Sequence, residues 1–316
     1  MKNIRLFDTK AEYNAATLDY PNVAYVKETD EVIMQKTNPL AEYLNFTATN
    51  GDATISMSGS SAPNVSYSFD KNTWTTWDYS NLTIPNGSTL YLKGNNSNGF
   101  NKQAYNAKYF NITETVEVNG NIMSLLYEDD FEDELTIPSK LCFYALFRDC
   151  TSIVSTENLL LPATTLTLNC YERMFVGCTS LTTSPSILPA TTLTQYCYQY
   201  MFSGCTSLTT APELPATTLA NYCYVSMFNG CTSLVTAPEL PATTLTNYCY
   251  SSMFSGCTNL NYIKAMFTTT PSGDFTSNWV SGVAATGTFV KNSAATWTKT
   301  GVHGVPTGWT IEYADA

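Results

Sequence analysis

One stretch repeats almost verbatim and constrains the fold more than any other feature. It reads Leu-Pro-Ala-Thr-Thr-Leu, then a tyrosine-rich segment around a cysteine, then Met-Phe-x-Gly-Cys-Thr-x-Leu. Copies begin at Leu161, Leu188, Leu214 and Leu240, spaced 27, 26 and 26 residues apart. A period of this length is the mark of stacked coils, each completing the apolar face of its neighbour. The expected architecture is therefore a solenoid, and the expected role that of a scaffold or binding surface.

The ten cysteines fall in five pairs eight residues apart: Cys142/Cys150, Cys170/Cys178, Cys197/Cys205, Cys223/Cys231 and Cys249/Cys257. They define five full coils, with Met266-Phe267 read as a sixth that has lost its cysteines. Phe147, Phe175, Phe202, Phe228 and Phe254 form a column, preceded by Leu146, Met174, Met201, Met227 and Met253. Further columns are Ile153, Leu181, Leu208, Leu234 and Leu260, and Leu166, Leu193, Leu219 and Leu245. Large apolar residues at a fixed phase of every coil are core. A parallel strand is expected near Leu208-Thr209-Thr210, ended by Pro212, which cannot donate to a ladder. The segment from Tyr-Cys-Tyr to Met-Phe is expected to form a short helical turn.

The preceding chain differs. Residues 1–40 read as a leader or attachment segment, with a short helix over Ala11–Leu18 and strands at Val23–Val26 and Glu31–Met34. Residues 41–118 carry short alternating strands between turn signals, the pattern of an Ig-like β-sandwich. Its turns are Asn50-Gly51, read as a hairpin, Asp70-Lys71-Asn72 and Asn86-Gly87. Trp74 and Trp77 lie three apart, so on a strand they face opposite sides. Residues 119–267 are assigned to the solenoid and 268–316 to a C-terminal cap. Ile122–Tyr127 is an apolar run fit to cover the open end of the array.

These columns resemble the BspA-like leucine-rich repeat family, whose members are surface proteins of gut and anaerobic bacteria, with similar arrays in proteins of their phages. The resemblance spans roughly residues 119–316. It rests on Phe-x-Gly-Cys-Thr-x-Leu, which recurs four times, and on tail segments Trp279-Val280, Gly287–Asn292 and Gly304–Trp309. The tail is similar to the family's C-terminal cap, with strands at Thr288–Val290 and Trp309–Tyr313. The resemblance implies adhesion, with no catalytic signature.

Charge narrows the partners. The net charge is −11, with 15 Lys and Arg. Phosphate binding needs a basic stripe, so nucleic acid is excluded as a partner, and so is an anionic membrane. Six carboxylates crowd into Glu128–Glu134, read either as a solvated loop or as a metal site, although no EF-hand spacing is present. The cysteines are read as buried thiols, with disulfides or a metal as the alternatives; the Cys-x-x-Cys pairs that zinc commonly uses are absent. His303, the single histidine, is read as an exposed loop residue. Glu213 and Glu239 repeat one surface position. No catalytic residue, metal ligand or cofactor is assigned.

The 21 tyrosines remain. Tyr196, Tyr222 and Tyr248 precede the first cysteine of their coils; Tyr198, Tyr224 and Tyr250 follow it. At least one of these columns should point outward, and the six form the candidate binding set. They either recognise a ligand, as rigid amphipathic side chains suit, or stack coil on coil. The expected function is a non-enzymatic attachment or structural protein that recognises a host or bacterial surface protein or polysaccharide, with residues 1–40 docking into an assembly. The start of the chain has no apolar core of secretory type, which favours a phage virion (fibre or tail-associated) over an exported bacterial adhesin. A glycan-processing enzyme is a third possibility.

Overall fold

A computed structural model describes residues 3–7, 22–26, 31–33 and 39–314. The fold is mainly β. The chain divides into two compact units, Met1–Glu42 and Tyr43–Ala316. In the first, β1 (Asn3–Phe7) runs parallel to β2 (Asn22–Val26), which pairs antiparallel with β3 (Glu31–Ile33). The two strands expected there fall on β2 and β3; the helix expected over Ala11–Leu18 lies outside the described residues.

The second unit begins with two antiparallel sheets. One is ordered β10 (Tyr109–Ile112), β5 (Ala53–Ser58), β8 (Leu82–Ile84). The other runs from β11 (Thr115–Asn121) through β4 (Leu44–Asn50), β9 (Thr89–Lys93) and β6 (Ser66–Ser68) to β7 (Thr75–Thr76). Alternation aims one face of each sheet at a shared core: Ala53, Ile55 and Met57 of β5 are buried, and Phe46 meets Phe110 of the facing sheet with ring centroids 5.0 Å apart. The Asp70-Lys71-Asn72 turn closes the β6–β7 hairpin. The two Asn-Gly turns do not close hairpins. Asn50-Gly51 carries the chain from β4 to β5, and Asn86-Gly87 from β8 to β9, each pair lying in opposite sheets. A tight turn reverses direction in either case; strand partners were chosen by what each strand could bury.

β11 has a second neighbour. Opposite β4 it pairs in parallel with β12 (Ile153–Ser155) and β13 (Leu159–Leu160), which belong to the first coil. The two-sheet region and the repeats therefore share a strand and one core. Gly120 of β11 is obligatory: its φ is +81°, and a Cβ there would lie 1.9 Å from the Tyr43 carbonyl oxygen. The apolar run after β11 forms a one-turn helix, α1 (Ser124–Tyr127). Leu125 and Leu126 are buried, and the Ser124 hydroxyl donates to Leu92 O.

In the repeats, short parallel bridges follow the second cysteine of each coil, at Ser155–Thr183, Thr183–Thr210 and Thr236–Tyr262. This is the position expected for the strand. The expected helical turns are absent among the described residues of the repeats. In the third coil the amides of Cys197, Gln199, Met201, Ser203 and Cys205 donate to carbonyls three residues back, at 3.1–3.4 Å. The amides between them, of Tyr198, Tyr200, Phe202 and Gly204, donate to Cys223, Val225, Met227 and Asn229 of the next coil, at 2.7–3.1 Å. An α-helix would direct every amide four residues back along its own chain. Here every second amide is left free to join coils, and the segment is a ribbon of overlapping turns. Positive φ recurs every fourth residue, at Tyr196, Tyr200 and Gly204, the third position of alternate turns, as a type II turn requires.

The sixth coil is displaced from its expected place. Amides of Tyr250, Phe254 and Gly256 donate to Phe275, Trp279 and Ser281, so its ribbon lies near Asp274–Gly282 rather than at Met266-Phe267. Phe275 and Val283 sit one period after Cys249 and Cys257. Bulkier apolar residues fill the cysteine positions, which hid the coil from the cysteine pattern. The array ends in three parallel strands, β14 (Tyr262–Ala265), β15 (Thr288–Asn292) and β16 (Thr310–Ala314). Indole nitrogens of Trp279, Trp297 and Trp309 donate to Gly304, Phe267 and Ala284 carbonyls.

Candidate binding surface

The phenylalanine column begins outside the repeats. Phe110 of β10 stacks on Phe147 at 5.3 Å, and the ladder continues through Phe175, Phe202 and Phe228 to Phe254. The second cysteine of each coil lies beside it. Cys150, Cys178, Cys205, Cys231 and Cys257 donate their thiols to the carbonyls of Phe110, Phe147, Phe175, Phe202 and Phe228, at 3.0–3.2 Å. A small weak donor thus adds a bond to a carbonyl in the preceding layer; those of Phe147, Phe175, Phe202 and Phe228 also accept the amide three residues on. All ten thiols are free and buried. Burial pushes those of Cys142, Cys150 and Cys170 up to about 12, which keeps them protonated and unreactive.

The turn ribbon separates the six candidate tyrosines into two columns. Tyr198, Tyr224 and Tyr250 are buried, continuing a stack that starts at Phe143 and Tyr171 with centroids 5.8–5.9 Å apart. They belong to the interior and cannot meet a ligand; every ring has a ring above or below it, and burial holds their hydroxyls protonated to well above the usual phenol range. Tyr196, Tyr222 and Tyr248, two residues earlier, are half-exposed. Their rings stack at 4.9 and 5.1 Å, with interplanar angles of 23° and 13°.

The outer column stands on an unfavourable backbone. Its φ values are 60°, 61° and 55°, a left-handed region that glycine and asparagine adopt most readily. The coil before uses Asn169 at this position, and the ribbon's next such turn but one uses Gly204, Gly230 and Gly256. Beside the rings runs a column of amides, Gln195, Asn221 and Asn247, in which Asn247 N donates to Asn221 Oδ1 at 3.2 Å. Charge is sparse: residues 161–260 carry only Glu172, Arg173, Glu213 and Glu239.

Other sequence candidates resolve as follows. Trp77 is buried, while Trp74 is half-exposed, with Tyr43 edge-on at 4.9 Å and the Lys93 ammonium 4.5 Å from the centre of its ring. Within the acidic run Asp129 accepts from Lys93 and Tyr43, which lowers its pKa; no group of three potential metal ligands occurs among the described residues. His303 is half-buried rather than exposed: its Nδ1 accepts the Asn278 amide at 3.1 Å, and its carbonyl accepts the Thr276 hydroxyl. Glu213 and Glu239 are both exposed, and Glu239 pairs with Lys264 at 3.0 Å. With Pro212, Pro215, Pro238 and Pro241 they line an open groove of 550 Å³. That groove escaped the sequence reading, although the repeated Pro-Glu-Leu-Pro was its visible trace. Compared with protein-family models, with curated proteins and with solved structures, the chain shows no significant match.

Proposed function

We propose that this chain is a non-enzymatic attachment protein, displayed on a phage particle or a bacterial surface, whose stacked repeats form a leucine-rich repeat solenoid of BspA-like type. Residues 43–121 act as a β-sandwich that closes the solenoid's N-terminal end, and the three C-terminal strands with Trp279, Trp297 and Trp309 around them close the other. The observation that carries the reading is the outer tyrosine column. The interior columns are explained by packing, whereas Tyr196, Tyr222 and Tyr248 occupy strained positions at the surface where packing does not demand them. A non-enzymatic role is supported by the use of the reactive residue types: the thiols are buried against backbone carbonyls and His303 is held by main-chain groups. The compact first unit, Met1–Glu42, suits an anchor in a larger assembly.

The test is binding of the labelled full chain to intact bacterial and host cells. The Tyr222→Ala/Tyr248→Ala double variant should lower binding by about ten-fold, or about 1.4 kcal/mol. Undiminished binding, or no binding by the unaltered chain, removes the proposal.

A further inference from the structure

We infer that the outer tyrosine column, with its amide column, is a site for a neutral, extended β-1,4-linked polysaccharide lying along the stack, one sugar per coil; this rests on the attachment reading above. Three observations carry it.

The first is strain. A bulky residue in the left-handed region costs on the order of 1 kcal/mol or more. Three successive coils place tyrosine at this corner where Asn169 shows a cheaper solution, although Leu141 in the first coil and Arg173 and Tyr200 one corner further on also take such φ values. Ring stacking returns about 0.5–1.5 kcal/mol per pair, yet two interior aromatic ladders already join the coils.

The second is what the rings leave free. Tyr222 has a ring against each face, at 4.9 and 5.1 Å, so the exposed part of that ring is its edge. Along the middle of the column the rings therefore offer hydroxyls and not flat faces, and recognition there is by hydrogen bonding. A phenol hydroxyl donates one bond and accepts two, and an amide does both. Such a row matches a ligand that carries hydroxyls on every unit. No charged residue lies in either column between Leu168 and Asn247, which suits a neutral chain and predicts binding that salt does not weaken.

The third is register. The rungs recur every 4.9–5.1 Å. An extended peptide rises about 3.3 Å per residue and drifts out of phase with them. A β-1,4-linked chain is straight, and each flat pyranose spans about one rung. An α-1,4-linked chain curls and cannot follow a straight row.

The experiment titrates the full chain with cellohexaose, mannohexaose and chitohexaose, and with maltohexaose as the α-1,4-linked control, at low and high salt. At least one β-1,4-linked hexamer should bind about ten-fold more tightly than maltohexaose, equally well at both salt levels. The Tyr196→Phe/Tyr222→Phe/Tyr248→Phe triple variant keeps the ring stack and loses the hydroxyls. It should weaken that binding at least about ten-fold, equivalent to 1.4 kcal/mol, with its thermal midpoint shifted by no more than a few degrees. No binding by any β-1,4-linked hexamer, equal binding of maltohexaose, or undiminished binding by the triple variant overturns the inference. If cells still bind through Tyr222 and Tyr248 while the hexamers do not, the attachment reading stands and the ligand class falls. If both assays are silent, both fall.

Discussion

Two tyrosine columns run side by side through the same coils, two residues apart in the chain, and have opposite fates. Tyr198, Tyr224 and Tyr250 are sealed in the interior; Tyr196, Tyr222 and Tyr248 stack at the surface. Residue type, coil and neighbouring cysteine are common to both. The difference lies in the turn ribbon. Both columns send amides to the next coil, Tyr222 to Asn247 as well as Tyr224 to Cys249. The inner rings enter a sealed aromatic stack, and the outer ones sit at left-handed corners near the surface. Identical side chains are thus core or skin according to their place in the ribbon, whose left-handed corners elsewhere carry the buried Ala145 and Ser226.

Raising the pH should attack the interior with the largest effect. The folded chain holds its thiols protonated, several up to about 12 and Cys249 up to about 11. The unfolded chain releases those protons from about pH 8.5. Stability is therefore full below that pH and falls as pH rises towards 12, each buried thiol adding to the loss. The guanidinium midpoint should collapse between about pH 9 and 11; a midpoint that stays level across this range would show that the interior is not sealed.

Truncating the columns tests the contrast directly. Tyr224→Ala should cost about 3–5 kcal/mol in chemical unfolding, as for other buried aromatics. Tyr222→Ala should cost less, about 1–3 kcal/mol for the two stacked pairs it loses, since alanine keeps the Cβ and with it the strain at φ 61°. Equal costs would abolish the distinction. A smaller effect is expected at the cysteine ladder: Cys205→Ala removes the bond to Phe175 O, which still accepts the Cys178 amide, and should cost about 1 kcal/mol. The smallest concerns Tyr171, whose hydroxyl is buried with no partner. Tyr171→Phe should be neutral or stabilise by about 1 kcal/mol, since Phe143 already serves in the same column of the first coil. A large loss would mean that the interior column needs its hydroxyls.

Much of this was legible beforehand. The period, the phenylalanine, leucine and cysteine columns and the bridge after the second cysteine follow from spacing; the last strands were legible only through the resemblance of the tail. Spacing measures what neighbouring coils must share. It did not reveal the turn ribbon, because tyrosine, methionine and phenylalanine at close intervals read equally well as a helix. The Asn50-Gly51 hairpin was misassigned, because a turn motif encodes reversal but not the sheet to which the returning strand belongs.

By itself the sequence determined that identical layers would stack and which residues would form their shared core, since a repeated apolar residue has no other way to leave water. It determined as well that the surface of the array would be nearly uncharged. Only the tertiary structure decided that β11 would be both the last strand of one region and the first rung of the next. It also decided which tyrosine of each pair would face out. The first depends on where the backbone groups of β11 find partners, in a layer distant along the chain; the second depends on how the turns of the ribbon follow one another, and no local pattern records either choice.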